Sequence, residues 1–189
     1  MDTQTVVLIF LTVIWGVLEL RHLRLRAGKT GTAKIDDQKT LETIFLVAVP
    51  CVLLAVATYW LSFAVWSWRE TIFWSGTFFA ITGMALRDWS TFVLGRFFVI
   101  EVAVQKDQTV VDRGPYRFVR HPSYAGAMAT MLGVGLMSGN WTGLGVAVIP
   151  GYIVLLRRIR LEEEVLAREL GEPYKTYMTK TKRLVPFVY

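Results

Sequence analysis

Long apolar runs separated by basic segments dominate the chain and set its predicted elements. Residues 3–20 are almost wholly apolar apart from Glu19. A leader peptide would need a basic start and a small-residue cleavage site. The start carries Asp2 and no basic residue, so the run reads as a retained first span. Residues 43–65 hold no charge, and Pro50 within them is tolerable because neighbouring helices can satisfy a kinked backbone in a membrane. Residues 71–86 form a shorter uncharged run. The 35 residues of 122–156 are also uncharged, too long for one span of about 20 residues. Ser138-Gly139-Asn140 offers a turn inside them. The pattern predicts two short helices there, over 123–137 and 141–156, folded as a hairpin. The expectation is an all-α integral membrane protein of about five spans.

Charge supports that count. Residues 21–40 hold six Lys/Arg, 87–121 another six, and the tail from Arg157 eight, whereas the connections around Arg69 and Asn140 hold one and none. Alternate connections are therefore basic, as the positive-inside rule requires. Five spans put the N-terminus outside, the C-terminus in the cytoplasm and 20 of the 21 basic residues inward. Four or six spans would break the alternation. Two inward segments are richer than simple connectors. Residues 97–111 carry two β-branched runs around Lys106-Asp107-Gln108, which predicts a short strand pair. Residues 158–170 are charged with an apolar stripe of Ile159, Val165, Leu166 and Leu170, which predicts an amphipathic helix on the bilayer surface, ended by Gly171-Glu172-Pro173.

Composition narrows the function classes. Hydrophobic residues make up 53% and charged ones 19%, against about 45–50% and 25% in soluble domains. With 11 Phe, 7 Trp and 7 Tyr the chain is not an intrinsically disordered one. A lone Cys51 excludes an internal disulfide and a Cys-rich zinc site, and His22 and His121 leave little for any metal cluster. The net charge of +6 does not point to nucleic acid, because the basic residues form no continuous stripe. There is no P-loop, no GxSxG and no HExxH. Gly133-Val134-Gly135 lies inside a hydrophobic run with no preceding strand, so close helix packing is its reading.

Candidate chemistry gathers in two stretches. In 112–126 (DRGPYRFVRHPSYAG), Arg113, Arg117, Arg120 and His121 precede a span, interleaved with Tyr116 and Tyr124. A membrane-surface anchor would use the same residue types, but Gly114-Pro115 and His121-Pro122 impose a defined backbone that an anchor does not need. In 157–164, Arg157, Arg158 and Arg160 precede Glu162-Glu163-Glu164. Arg158 and Glu162, four apart, share a helix face and can pair; a solvated charged face is the competing reading.

Arg120-His121-Pro122-Ser123-Tyr124-Ala125-Gly126 before a helical hairpin, then Glu162-Glu163-Glu164, then Gly171-Glu172-Pro173-Tyr174-Lys175-Thr176-Tyr177 resemble the isoprenylcysteine carboxyl methyltransferases and related membrane phospholipid methyltransferases. Leu94-Gly95, Gly114-Pro115-Tyr116 and the closing 181–186 fit as well, so the resemblance covers about half the chain. It implies a single membrane domain over 1–189, with three spans in 1–93 and a cofactor-binding and catalytic half in 94–189. It further implies S-adenosylmethionine bound on the cytoplasmic side. By position, the cofactor would be held by Gln105, Gln108, Val110, Val111, Gly114, Tyr116, Arg120, His121, Tyr124, Glu163 and Glu164, and the substrate-side pair would be Arg158 and Glu162. Family members commonly carry Lys and His where this chain has Gln105 and Gln108.

The residue types suit that cofactor. Tyr116 and Tyr124 can cover a ring or face a sulfonium, Arg120 can fork onto a carboxylate, and Glu163 or Glu164 suits a diol or an ammonium. Methyl transfer needs alignment and exclusion of water rather than a covalent nucleophile. The expected activity is carboxyl O-methylation of a prenylated cysteine or a similar prenyl carboxylate, with lipid as surroundings and neither nucleic acid nor metal as partner. A phospholipid headgroup amine is the alternative substrate. It would require a general base, whereas the Arg157/Arg158/Arg160 cluster favours a carboxylate. A non-enzymatic membrane subunit is the alternative of another class, which failure to bind S-adenosylmethionine would favour.

Overall fold

The computed structural model describes residues 2–24, 33–34, 38–60, 68–98, 103–104 and 107–186. Among the described residues there are six α-helices: α1 (Thr3–Arg24), α2 (Gln38–Ala57), α3 (Arg69–Leu94), α4 (Pro122–Met137), α5 (Trp141–Leu170) and α6 (Glu172–Lys180). The hairpin of α4 and α5 turns where the sequence places it. Asn140 caps α5 by accepting from the Gly143 amide at 2.7 Å, and its own amide donates to the Thr58 and Ser138 carbonyls. Helices α1 and α3 outrun their predicted bounds, to Arg24 and Leu94, whereas α2 starts earlier than expected, at Gln38, and ends at Ala57, where a 3-10 turn over Thr58–Trp60 follows. The predicted end of the second span, 61–65, lies outside the described residues.

Two expectations are corrected. The hairpin span and the amphipathic segment are one 30-residue helix, α5, about 45 Å long. Nothing between Leu156 and Arg158 breaks a helix, and the Arg, Leu, Glu and Ala that follow favour one. Its stripe therefore turns inward rather than onto a bilayer surface: Ile159 and Val165 are buried. Gly171, at φ 63°, ends α5, and the chain resumes as α6 with Pro173 in its first turn. Nor, among the described residues, do the two runs of 97–111 pair with each other. Ala103–Val104 (β2) pairs antiparallel with Ala33–Lys34 (β1), from the connection between α1 and α2. The second run instead lines a cavity, described below.

Small residues let the bundle close. A Cβ at Gly133 would stand 2.4 Å from the Ala80 amide nitrogen, and one at Gly83 would stand 2.6 Å from the Gly126 carbonyl. Helices α3 and α4 thus meet backbone to backbone along Gly76, Ala80 and Gly83 on one side and Gly126 and Gly133 on the other. Gly135 makes the equivalent approach to Leu144 of α5. Around this seam, Leu8 and Leu11 of α1 pack with Phe73, Met84 and Met137, while Val52 of α2 packs with Met131, Val134, Leu155 and Ile159. At one end of the bundle, Arg87 of α3 donates two hydrogen bonds to Glu19 of α1, at 2.7 and 2.9 Å, and reaches Ser123 of α4. Next to it, His22 Nε2 stands 2.8 Å from Asp88. That end carries the candidate site.

Candidate active site

The site starts from a backbone feature. Gly114 adopts φ 58°, and the 3-10 turn Gly114–Arg117 that follows buries Pro115 and Tyr116. The chain then runs alongside the C-terminal tail. Val119 bridges Lys182 in parallel, and the amides of Arg120 and His121 donate to the carbonyls of Lys182 and Arg183. His121 is the last residue before α4, whose first helical position is Pro122, where a missing N–H costs nothing. From below, Tyr177 of α6 donates to the Tyr116 carbonyl at 2.6 Å. The start of α4, the second half of α5 and α6 are thereby held around one opening.

That opening is a cavity of about 880 Å³, its mouth included. Leu94, Phe97 and Phe98 line it from the end of α3, and Gln108, Thr109, Val110 and Val111 from the irregular stretch beyond β2. Tyr116, Arg120, His121, Ser123 and Tyr124 line it before and at the start of α4. Helix α5 contributes Arg158, Glu162, Val165, Leu166 and Leu170, and α6 contributes Tyr174 and Tyr177. Arg158, Glu162, Leu166 and Leu170 follow one another by four, with Val165 three beyond Glu162, and so form a single stripe, charged at its start and apolar toward its end.

Successive residues on a helix are about 100° apart, so the three glutamates point three ways. Glu162 is at the cavity wall and accepts from the Tyr124 hydroxyl at 2.7 Å. Arg158, also at the wall and only 4% exposed, donates from Nε to the same hydroxyl at 2.8 Å. Arg158 and Glu162, expected to pair directly, are thus bridged by a tyrosine from α4. Glu163 turns away from the cavity wall into a buried cluster. It accepts from Arg120 Nε and Arg183 Nε at 2.8 Å each and lies 3.3 Å from His121 Nε2. Burial alone would raise its carboxyl, but hydrogen bonds from His121, Arg183 and Arg120 outweigh that and hold it at about 2. Glu164 is exposed.

Other expected residues divide in the same way. Gln108, Val110, Val111, Tyr116, Arg120, His121 and Tyr124 come together at the wall, while Gln105 lies outside the described residues. Gly114 shapes the turn rather than lining the cavity. Arg120 borders the cavity, but its guanidinium is already engaged by Glu163 and by the carbonyls of Met178 and Thr181 at the end of α6. Of the three clustered arginines only Arg158 turns inward; Arg157 and Arg160 are exposed. Burial, with the Glu162 charge adding to it, pushes the Tyr116 and Tyr174 hydroxyls well above their ordinary range, and burial lifts Tyr177 to about 12. All three remain protonated donors at neutral pH. The apolar wall of Leu94, Phe97, Phe98, Leu166 and Leu170 was not among the expected site residues. Its one signal was the stripe of 158–170, which the sequence alone assigns to lipid.

Fold and site define a helical bundle that gathers a mixed polar and apolar cavity at one end, beneath a tail that closes on it. The phospholipid methyltransferase family model matches residues 71–173, and the chain belongs to that family. The match begins at α3, upstream of the motifs that start at Leu94. The chain is similar to the protein-S-isoprenylcysteine O-methyltransferase of Schizosaccharomyces pombe, 30% identical over 112 residues, which are 58% of this chain and 48% of that protein. Form B from Arabidopsis thaliana is 29% identical over 57% of this chain and 56% of its own. The Rattus norvegicus protein of the same name is 27% identical over 71% of this chain and 51% of its own. The chain thus spans about half the length of the curated relatives it matches. A solved structure of the eukaryotic intramembrane Ras methyltransferase, isoprenylcysteine carboxyl methyltransferase, shares the fold with a TM-score of 0.59 at 20% identity, over 83% of this chain and 55% of that one.

Proposed function

We propose that the protein is an integral membrane methyltransferase that uses S-adenosylmethionine to O-methylate the carboxylate of a prenylated cysteine or a similar prenyl carboxylate. One observation carries the reading: a buried arginine, Arg158, begins the same cavity-lining stripe that continues as Val165, Leu166 and Leu170. An acceptor with a carboxylate head and a greasy tail matches that order of chemistry along one helix. The names of the relatives point to the same acceptor class.

Membrane insertion is supported by the outward side chains. Val6, Phe10, Val13, Val17 and Leu20 on α1, and Trp74, Phe78, Ile81 and Phe92 on α3, are exposed. So much contiguous apolar surface would be a liability in water and is ordinary against lipid. Helix α1 is long and apolar enough to cross a bilayer over Thr3–His22. In the proposed topology α1 to α4 and α5 as far as Leu156 are the five spans, and the cavity faces the cytoplasm with the basic segments, the N-terminus lying outside.

The residues present fit the cofactor. The cavity wall is mostly apolar and aromatic with a few convergent polar groups, the make-up of a small-molecule site. Tyr116, Tyr174 and Tyr177 supply aromatic faces of the kind that attract a cation. Gln108 and Thr109 supply polar wall, and Val110 and Val111 apolar wall, a mixture suited to a ribose and an adenine. When bound, S-adenosylmethionine supplies an electrophilic methyl group on a sulfonium. The chain's own part is to hold the acceptor with Arg158, orient that arginine through Tyr124 and Glu162, and keep water out with the tyrosines and the apolar wall. The test is incubation of the purified protein with labelled S-adenosylmethionine and either a farnesylated cysteine or phosphatidylethanolamine. Label in a base-labile ester of the first acceptor is the expected result. Label only in the second would replace the carboxylate with a headgroup amine, and no transfer with no cofactor binding would remove the enzymatic reading.

A further inference from the structure

Arg120 cannot take a carboxylate as a fork in this fold. Its Nε–H is spent on Glu163, and its Nη1 donates to the carbonyls of Met178 and Thr181. Among the described residues, Nη2 is the one guanidinium nitrogen that makes no hydrogen bond. A carboxylate has two oxygens to satisfy, so a single nitrogen holds it firmly only with a second donor alongside.

Helix α6 supplies that donor. Tyr174 lies in its first turn, one helical turn before Met178, whose carbonyl accepts from Arg120. Tyr174 and Arg120 both line the cavity. Tyr174 is only 4% exposed, and its ring packs against that of Tyr177, 5.9 Å between centroids. The Tyr177 hydroxyl is spent on the Tyr116 carbonyl, whereas that of Tyr174 makes no hydrogen bond among the described residues. Burial and the Glu162 charge hold the Tyr174 phenol protonated, a donor with nothing in the protein to take its proton.

Resting on the reading of the cavity as an S-adenosylmethionine site, we propose that Tyr174 is a cofactor-binding residue whose hydroxyl, beside Arg120 Nη2, donates to the carboxylate of the methionine part. The surrounding charges favour the cofactor over the acceptor as the source of that carboxylate. Tyr174 faces Glu162 and Glu163 as well as Arg120. Glu163 is already held by Arg120 and Arg183, but Glu162 accepts only from the Tyr124 hydroxyl among the described residues. Its charge would repel a lone carboxylate, which is what a prenylated cysteine brings. The methionine carboxylate carries an ammonium next to it, so the two charges of the ligand meet an acid and a base together.

Tyr174→Phe keeps the ring and removes the hydroxyl. The probes are S-adenosylhomocysteine and its decarboxylated analogue, titrated by calorimetry into the full chain in detergent. The variant binds S-adenosylhomocysteine about tenfold more weakly, the loss of one charge-assisted hydrogen bond. It binds the decarboxylated analogue within about twofold of wild type. Its melting temperature without ligand equals or exceeds that of wild type, because the hydroxyl holds nothing in the protein. Equal weakening of both ligands would place the hydroxyl on another part of the cofactor, and no weakening of either would remove it from the cofactor. Each overturns the inference and leaves the methyltransferase reading standing. So does a variant that melts lower or fails to fold, which would give the hydroxyl a structural role. A wild-type protein that binds neither ligand overturns both.

Discussion

Arg183 of the C-terminal tail donates to Glu163 of α5 at 2.8 Å, across 20 residues of sequence, and its own carbonyl accepts from the His121 amide. One residue thus fastens the tail both to the helix that carries Arg158 and to the start of α4. Glu163 is the hub of this cluster, and the cluster holds the cavity's walls together. Glu163→Gln leaves Arg120 buried without a full counter-charge, at a cost of about 3 kcal/mol, read as a drop in melting temperature of the detergent-solubilised protein. The pH dependence has a definite sign. The Glu163 carboxyl is depressed from 4.5 to about 2, so its contribution is full above the unfolded value and is lost as pH falls toward the folded one. The difference in melting temperature between wild type and Glu163→Gln should therefore be constant from neutral pH to about 5 and shrink steadily between about 4.5 and 2. A difference that grows on acidification would mean that Glu163 is not held ionised by its partners.

How far the sequence anticipates this arrangement depends on the kind of signal. Helix α4 is legible nearly to the residue, because His121-Pro122 starts it and Ser138-Gly139-Asn140 stops it. The glutamate run shows that acidic groups gather near the arginines, but not which of them faces the cavity. That is settled by helix phase relative to α4 and α6, and nothing local to 162–164 records it. The pairing of β2 with β1 was beyond reach for a related reason: a two-residue strand has no period, and its partner lies before α2. The unbroken length of α5 was obscured by its change from apolar to charged at Arg157. That change marks a change of surroundings and leaves helix propensity intact.

The α3–α4 seam predicts a graded response to added methyl groups. Gly133→Ala places a Cβ 2.4 Å from the Ala80 nitrogen, and Gly135→Ala one 3.1 Å from the nearest atoms of Leu144, whereas a Cβ at Gly16 meets nothing within 4 Å. The first should cost about 1–3 kcal/mol by forcing the helices apart. The second should cost less, and Gly16→Ala should be neutral or slightly stabilising, since alanine favours a helix by about 1 kcal/mol over glycine. Thermal unfolding of the three variants checks the order. Equal melting temperatures would show that the helices do not meet through glycine.

The proposed topology is checked at the two ends of α5. Trp141 is 65% exposed at its start, and Lys175 of α6 is exposed beyond its end. With Cys51 replaced, a single cysteine at position 141 should react with a membrane-impermeant maleimide on intact cells. One at position 175 should react only after permeabilisation. The reverse pattern would invert the protein in the bilayer and place the cavity outside.

Arg158 decides between a catalytic pair and a solvated one. An exposed pair four apart on a helix contributes only about 0.3–0.5 kcal/mol, and its loss would leave turnover nearly untouched. Burial already argues against that reading: Arg158 is 4% exposed, and its Nε–H is committed to Tyr124. Arg158→Lys keeps the positive charge and discards the planar fork. A lysine ammonium at the end of a flexible stem cannot offer one donor to the tyrosine and a parallel pair to a carboxylate in a single fixed geometry. Turnover of a farnesylated cysteine should fall at least about tenfold, equivalent to about 1.4 kcal/mol in the barrier. Cofactor affinity, measured by calorimetry on the same preparation, should remain near wild type, because Tyr116 and the 108–111 wall are untouched. Near-normal turnover in Arg158→Lys would show that charge alone suffices at this position. A parallel loss of cofactor affinity would move Arg158 from the acceptor side of the cavity to the cofactor side.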